Sequence, residues 1–264
     1  MGAHSKISGM SVALEVAALE HLAARTWRGL EEERYGDWLL RAGGGFTGRA
    51  NSVLVTGAPP EPLDRAVATV TRWYEQRGLQ PRAFVPSPGG EEVDAALHQA
   101  GWSRLEDNLV LTAPLAGWGA PHVPVDLAPA PDDAWLTGYR YRGTPLPPVA
   151  RDILVNADDP VFAAVRSEAA PAPLAAVARG VRIEDWLVVT AVTVDDRHRR
   201  RGLATAVMAA LGEWARARGA DSCMLQVASS NEPALALYER LGFTEHHRYH
   251  YRLGREPARG PAPE

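Results

Sequence analysis

Cys223 is the only cysteine in 264 residues. That scarcity excludes an internal disulfide framework and any zinc site built from several thiolates. Lysine is almost missing as well: Lys6 is the only one, so nearly all positive charge is arginine. No apolar stretch reaches the roughly 18 residues needed to span a bilayer. The opening M-G-A-H-S-K-I-S-G-M has no apolar core and lacks the build of a signal peptide. It places Ser5, rather than a Ser or Thr at position 6, after Met-Gly, so a myristoylation match fails too. A soluble cytoplasmic protein is therefore expected. A strong charge of either sign is also absent. The net charge is -4 at pH 7 and the pI about 6.1, so no global field would draw nucleic acid or an anionic membrane.

What is present is ordinary for a globular chain. Hydrophobic residues are 46% and charged residues 23%, which excludes collagen-like, coiled-coil and wholly disordered classes. The length suits two domains of roughly 130 residues each.

Hydrophobic periodicity lays out the elements. Val16, Leu19, Leu22 and Ala23 predict a helix over 12–28. Strand-like runs at 37–42 and 49–56 flank the glycine-rich 43–48. Leu63, Ala66, Val67, Val70 and Tyr74 share one face of a helix over 62–77 that Gly78 stops. A strand at 82–85, a helix at 91–100 closed by Gly101 and a strand at 108–112 follow. Residues 113–131 are dense in Pro, Gly and Ala and form the clearest linker, although 123–127 could open the second unit as a strand. Helical segments at 132–141 and 149–156 precede strands at 161–167 and 174–181. Trp186 to Val194 is apolar without alternation, as expected of a strand covered on both faces. A basic run, a helix over 204–218 closed by Gly219, a strand at 223–227, a helix over 232–241 closed by Gly242 and strand material to Leu253 complete the pattern. The expected domains are 12–113 and 124–254, with a linker at 114–123 and a disordered tail at 255–264.

The two halves look like copies of one unit. Gly101 in L-H-Q-A-G-W matches Gly242 in Y-E-R-L-G-F, 141 positions apart. The same offset, without a gap, pairs Trp73 with Trp214, Arg77 with Arg218, Gly78 with Gly219, Glu91 with Glu232 and Val53 with Val194. Each identity alone is near chance in a chain this rich in Ala and Arg. The shared order of strand, helix, Gly, strand, helix, Gly, aromatic carries the weight.

The chemistry concentrates at Arg199 to Ala204, R-R-R-G-L-A, between a buried strand and a helix. A glycine turn there can aim several backbone N–H groups at one point, beside a helix N-terminus with about half a positive charge. Arg199, Arg200 and Arg201 add cationic side chains, and the composite is a cradle for a pyrophosphate. Elsewhere a basic run would read as a solvated turn; here strand, loop and helix stand in the order a phosphate site needs.

At this point the chain resembles the GNAT acetyltransferase superfamily. Arg199-Arg200-Arg201-Gly202-Leu203-Ala204 fits that family's Q/R-x-x-G-x-G/A loop, and N-E-P-A-L-A-L-Y-E-R-L-G-F, from Asn231 to Phe243, fits its second signature. The resemblance is strong over about 124–253 and only architectural over 12–112, as in tandem-GNAT actinobacterial proteins with a degenerate first copy. It implies an α/β (α+β) fold of two GNAT-like units, each a mixed, largely antiparallel sheet flanked by helices. It also implies acetyl-CoA as co-substrate, no metal, and an acceptor that is a small-molecule or peptide amine. By the resemblance, Val192, Thr193 and Val194 offer backbone groups to the acetyl carbonyl and pantetheine. Arg199, Arg200, Arg201, Gly202, Leu203, Ala204 and Thr205 hold the pyrophosphate. Asn231 contacts the cofactor, and Tyr238 points at the sulfur as the catalytic acid. The residue types suit the reaction. Amine attack on a thioester builds an oxyanion that a backbone N–H can stabilise, and an unperturbed tyrosine (pKa about 10) is still protonated at neutral pH. The competing reading of Tyr238 is a packed aromatic.

No general base stands out. Many relatives carry a carboxylate within the central strand, but Leu187-Val188-Val189-Thr190 has none; Glu184 and Asp185 precede the strand, Asp195 and Asp196 follow it. Gly43 to Gly48 satisfies G-x-G-x-x-G, yet a strand rather than a helix follows, so a dinucleotide site is not expected. His246, His247 and His250 lack a fourth ligand, and exposed strand or pocket-lining positions are expected for them. In the first half, the 141 offset sets Ala58, Glu61 and Leu63 against Arg199, Gly202 and Ala204, and Leu97 against Tyr238. Prolines and a carboxylate there disfavour a pyrophosphate. Arg140 and Arg142 could clamp a substrate carboxylate. The expected function is acetyl-CoA-dependent N-acetylation of a primary amine by direct attack, with a non-catalytic acyl-CoA sensor as the alternative.

Overall fold

The computed structural model describes residues 15–139, 143–167 and 174–257. Two compact units divide them: Met1–Asn108 with His247–Glu264, and Leu109–His246. The second boundary is not the one expected. Strand β12 (Thr244–Leu253) leaves the second unit at His246, and Leu109 to Ala113 belong to the second unit instead of the first. The Pro/Gly-rich stretch marks a loop, whereas the unit a strand joins is decided by its pairing partner.

The first unit opens with helix α1, seen over 15–26. A hairpin follows, β1 (Glu31–Tyr35) and β2 (Trp38–Ala42), with Tyr35 opposite Trp38 across a tight turn at Gly36. β1 reads E-E-E-R-Y and is almost wholly exposed, so it carries no periodic apolar signal. The predicted strand at 49–56 is only β3 (Val53–Leu54), preceded by a single 3-10 turn at Arg49–Asn51. Then come α2 (Leu63–Glu75), β4 (Arg82–Ser87), α3 (Glu91–Gln99) and β5 (Ser103–Arg104). The sheet order is β1-β2-β3-β4-β12, and β5 also pairs with β12. Trp38, Leu40, Val70, Tyr74 and Val85 form the core. The glycine-rich loop wraps the side chain of Asn51, which accepts from the N–H groups of Gly43 (2.8 Å) and Gly45 (2.9 Å). His247 and His250 are buried rather than exposed, against Glu20 and Asp94 respectively.

The second unit contains β6 (Asn108–Pro114), β7 (Asp126–Ala128), α4 (Asp133–Gly138), α5 (Ala150–Val155), β8 (Pro160–Arg166), β9 (Leu174–Ile183), β10 (Trp186–Val194), α6 (Leu203–Arg216), β11 (Ser222–Ala228) and α7 (Glu232–Arg240). Its order is β6-β11-β10-β9-β8-β7, parallel between β10 and β11 and antiparallel from β10 to β7. This is the mixed sheet flanked by helices that was expected. Helix α6 packs across β8, β9 and β10. Its face of Leu203, Val207, Met208, Leu211 and Ala215 joins Leu187, Val189 and Leu225 in the core. No described helix is long and apolar enough to cross a membrane.

Candidate active site

Strands β10 and β11 pair only from Trp186–Ser222 to Val189–Leu225, although β10 runs on to Val194 and β11 to Ala228. The two parallel strands therefore part company halfway. The cause is visible on the other edge of β10, where the register against β9 breaks between Thr190 and Thr193. Ala191 sits in the bulge with φ +58°. A bulge bends and twists its strand away from a neighbour. Burial follows the geometry: Leu187 to Thr190 are buried, and Ala191 to Val194 are half-buried. Thr190 Oγ1, buried at the point of separation, has no hydrogen-bond partner among the described residues. Val192, Thr193 and Val194 thus lie on a stretch whose backbone is released from β11.

Beyond Val194 the chain makes a 3-10 turn, Asp196–His198, capped by Asp195. Asp195 Oδ1 accepts from the Arg197 N–H at 3.1 Å, and the Arg197 guanidinium returns to the same carboxylate at 3.1 Å. That guanidinium, followed by His198, holds the Asp195 carboxyl well below the usual carboxylate range. Arg199 pairs with Asp196 at 2.6 Å on the surface. Arg200 (φ +65°) and Gly202 (φ +75°) then take left-handed conformations, and α6 starts at Leu203. A left-handed turn at a helix start is cheap for glycine alone. The first turn of α6 has no acidic residue and no side-chain cap, so its leading N–H donors are left for something else to satisfy. Leu203 is anchored in the core while Ala204 and Thr205 remain half-buried. A Cβ on Gly202 would lie 2.9 Å from the ring of His122.

On α7, Asn231 caps the helix, its side chain accepting from the Ala234 N–H at 3.3 Å. Tyr238 is buried, with Phe243 edge-on at a centroid distance of 5.5 Å. Burial pushes the Tyr238 hydroxyl up to about 12, and the Cys223 thiol is raised by burial as well.

A cavity of about 720 Å³ gathers Thr193, Val194, Asp195, Arg197 and Arg199 with Thr137 and Gly138 at the end of α4. Of the sequence-predicted set, Thr193, Val194 and Arg199 line it. Val192, Arg200, Arg201, Gly202, Leu203, Ala204, Thr205, Asn231 and Tyr238 stand outside its lining. Arg140 and Arg142 lie outside the described residues. Glu184 and Asp185 form the turn at the opposite end of β10 from Val194. Asp185 there accepts from the Asp221 N–H at 2.9 Å.

The chain that carries this arrangement has relatives among known proteins. A family model described as "Probable histone acetyltransferase Rv0428c C-terminal" matches residues 13–252. The chain belongs to this family. It is 32% identical over 245 residues to the probable histone acetyltransferase Rv0428c of Mycobacterium tuberculosis, covering 89% of this chain and 73% of that protein. It is 25% identical over 260 residues to the uncharacterized N-acetyltransferase YobR of Bacillus subtilis, covering 91% and 99% respectively. A solved tandem GNAT protein from the clavulanic acid biosynthesis pathway has the same fold at TM-score 0.59 and 14% identity, covering 99% of this chain and 97% of that one. The chain is thus an acyltransferase of the GNAT kind.

Two residues of this acetyltransferase's loop region escaped the sequence reading. His198, inside the basic run, and Ser167, at the end of β8, are hydrogen-bonded at 3.1 Å. The only signal was one histidine among five consecutive basic residues, and nothing in sequence connects it to a serine 31 positions earlier.

Proposed function

We propose that the second unit transfers an acetyl group from acetyl-CoA to a primary amine of a small molecule or peptide by direct attack. The observation that carries this reading is the separation of β10 from β11 after Val189, on the strand that leads into the turn at Arg199–Gly202. A pantetheine arm needs a strand edge without a neighbour, and Val192 to Val194 supply one on the side released from β11, while Thr193 and Val194 pair with β9 on the other. A pyrophosphate needs N–H donors and cations, and the bare start of α6 with Arg199, Arg200 and Arg201 supplies both. When bound, acetyl-CoA contributes the activated thioester. The chain's own part is to orient it along β10, to hold its phosphates, and to keep a proton on Tyr238 for the departing sulfur. With its hydroxyl pushed up to about 12, Tyr238 is fully protonated at neutral pH.

Asn231 contacts the cofactor while its side-chain oxygen caps α7, which leaves its amide N–H₂ to donate. The first unit, in this reading, is a degenerate copy that has lost the phosphate loop. A peptide acceptor stays in view because Rv0428c is named a probable histone acetyltransferase. The sensor alternative draws on one observation: β10 carries no carboxylate, and Asp195 is already engaged by Arg197. A panel of amines incubated with acetyl-CoA, read by release of free thiol, separates the two. Amine-dependent thiol release is expected. Tight acetyl-CoA binding with no release for any amine favours the sensor.

A further inference from the structure

We propose that His198 positions the phosphate loop of this acetyltransferase through a hydrogen-bonded chain, Ser167–His198–Asp195. The inference rests on the cofactor reading above. His198 is 7% exposed, whereas Arg197, Arg199, Arg200 and Arg201 around it are all exposed. A buried imidazole in a solvated arginine run needs polar partners on both ring nitrogens. It has them. Nδ1 is 3.1 Å from Asp195 Oδ1, and Nε2 is 3.1 Å from Ser167 Oγ. An ionised carboxylate can only accept, so Nδ1 carries a proton toward Asp195, and Nε2 faces the Ser167 hydroxyl.

The chain joins three pieces of the fold: the end of β8, the exit of β10 and the entry to the loop. The backbone adds a further tie, the His198 N–H donating to the Asp195 carbonyl at 2.8 Å. Two residues after His198 the chain must enter the left-handed conformation at Arg200, and two later again at Gly202. A fixed entry keeps the α6 donors aimed before the anion arrives, which removes an ordering cost from binding. The order Ser-His-Asp also suggests an activated serine. The Arg197 guanidinium on Asp195 argues against that, because the carboxylate that would support an imidazolium is already neutralised. Asp195 lines the cavity, while Ser167 and His198 stand outside its lining.

Calorimetry on the full chain with coenzyme A and with pantetheine, which has no pyrophosphate, tests the assignment. His198→Phe keeps a ring and removes both hydrogen bonds. Its Kd for coenzyme A is expected to rise about tenfold, the scale of two hydrogen bonds, while its Kd for pantetheine and its kcat at saturating acetyl-CoA stay unchanged. His198→Gln, which retains a donor and an acceptor, should recover part of the loss. Ser167→Ala should show a smaller rise in the same direction, and it carries the test if thermal melting shows His198→Phe unfolded. Equal losses for coenzyme A and pantetheine would overturn the proposal, as would unchanged coenzyme A affinity in the folded variants. A large fall in kcat for Ser167→Ala with affinity intact would overturn it in favour of a nucleophilic serine. A wild-type chain that binds no coenzyme A would defeat the cofactor reading itself, an outcome distinct from wild-type binding that the variants do not disturb.

Discussion

The segment from Leu63 to Trp102 and the segment from Leu203 to Phe243 follow one plan. Helices α2 and α6 have 13 and 14 residues, strands β4 and β11 have 6 and 7, and α3 and α7 have 9 each. All four helices end on a left-handed glycine: Gly78, Gly219, Gly101 and Gly242 have φ between +63° and +88°. In each, the residue after the glycine donates its N–H back into the last turn, as Trp102 does to Leu97 and Phe243 to Tyr238, both at 3.0 Å. Even a surface pair repeats. Arg77 lies over the Trp73 ring at 3.6 Å and Arg218 over the Trp214 ring at 4.7 Å, each guanidinium also donating to that tryptophan's carbonyl.

The approach to the first helix is where they part. Val53 pairs with Ala83, and the residue 141 positions after Ala83, Met224, pairs with Val188 rather than Val194. The gap-free match of Val53 with Val194 therefore fails by six residues, because β10 runs on past its paired stretch through a bulge to Val194, whereas β3 stops at Leu54. The stretches from strand end to helix start, 55–62 and 195–202, are equally long, but the second holds a 3-10 turn and the arginine loop. In the first segment this connection holds Pro59, Pro60 and Pro62, and its Ala58 N–H is taken by Asp37 at 2.9 Å. Glu61 there accepts from Tyr35 and Thr69. The contrast teaches that helices and glycine stops maintain the scaffold, while the two segments differ in the strand and turn that lead into the first helix.

Several substitutions would break or sharpen that contrast. The largest effect is expected from Gly202→Glu. It sets a side chain against His122 and a carboxylate where the anion is to sit, in a conformation that disfavours any Cβ. Coenzyme A binding should vanish by calorimetry while the melting transition stays cooperative; wild-type affinity in the folded variant would remove the loop from the site.

Next comes Tyr238→Phe, the position that Leu97 occupies in the first segment. A fall in kcat of about 10²-fold with little change in cofactor affinity is expected, the usual scale of general acid catalysis. An unchanged rate on a validated acceptor would make Tyr238 a packed aromatic like its counterpart.

A smaller effect is expected in the first unit alone. Asp94 accepts from Arg252 at 2.8 and 2.9 Å and faces His250. Arg252 first, with His250 behind it, lowers the Asp94 carboxyl to about 2. Because folding depresses this pKa, its contribution is complete above about pH 4 and is lost as the pH falls toward about 2. Asp94→Asn should cost about 2 kcal/mol in chemical denaturation at pH 7 and flatten the acid limb of the stability curve. A wild-type acid limb in the variant would assign it to other carboxylates.

The smallest effect is expected from Glu61→Gln. Removing that charge should leave the coenzyme A stoichiometry at one per chain, since the prolines remain and no arginine loop is present there. A second binding event would show that the first segment's loop still works as a cradle.

Much of this was legible in the one-dimensional chain. The apolar run Trp186 to Val194, the glycine stops and the R-R-R-G-L-A turn are local signals, each set by a residue's own volume, charge or φ preference, and the elements they predict are present within a few residues. The edge strand β1 was missed because three glutamates and an arginine on a solvated edge have no reason to alternate. His246 is exposed as expected, but His247 and His250 showed that a motif can be read and its setting misjudged. Burial beside Glu20 and Asp94 comes from residues more than 150 positions away.

Sequence by itself determined where helices start and stop, which strand is central, and that a basic glycine turn stands before α6. Only the tertiary structure decided that the last strand completes the first unit, that β10 leaves β11 after Val189, and that His198 reaches Ser167. The reason is one of range. Propensity and periodicity act over a few residues, but strand pairing and buried hydrogen bonds are chosen among distant partners by what the whole core leaves available.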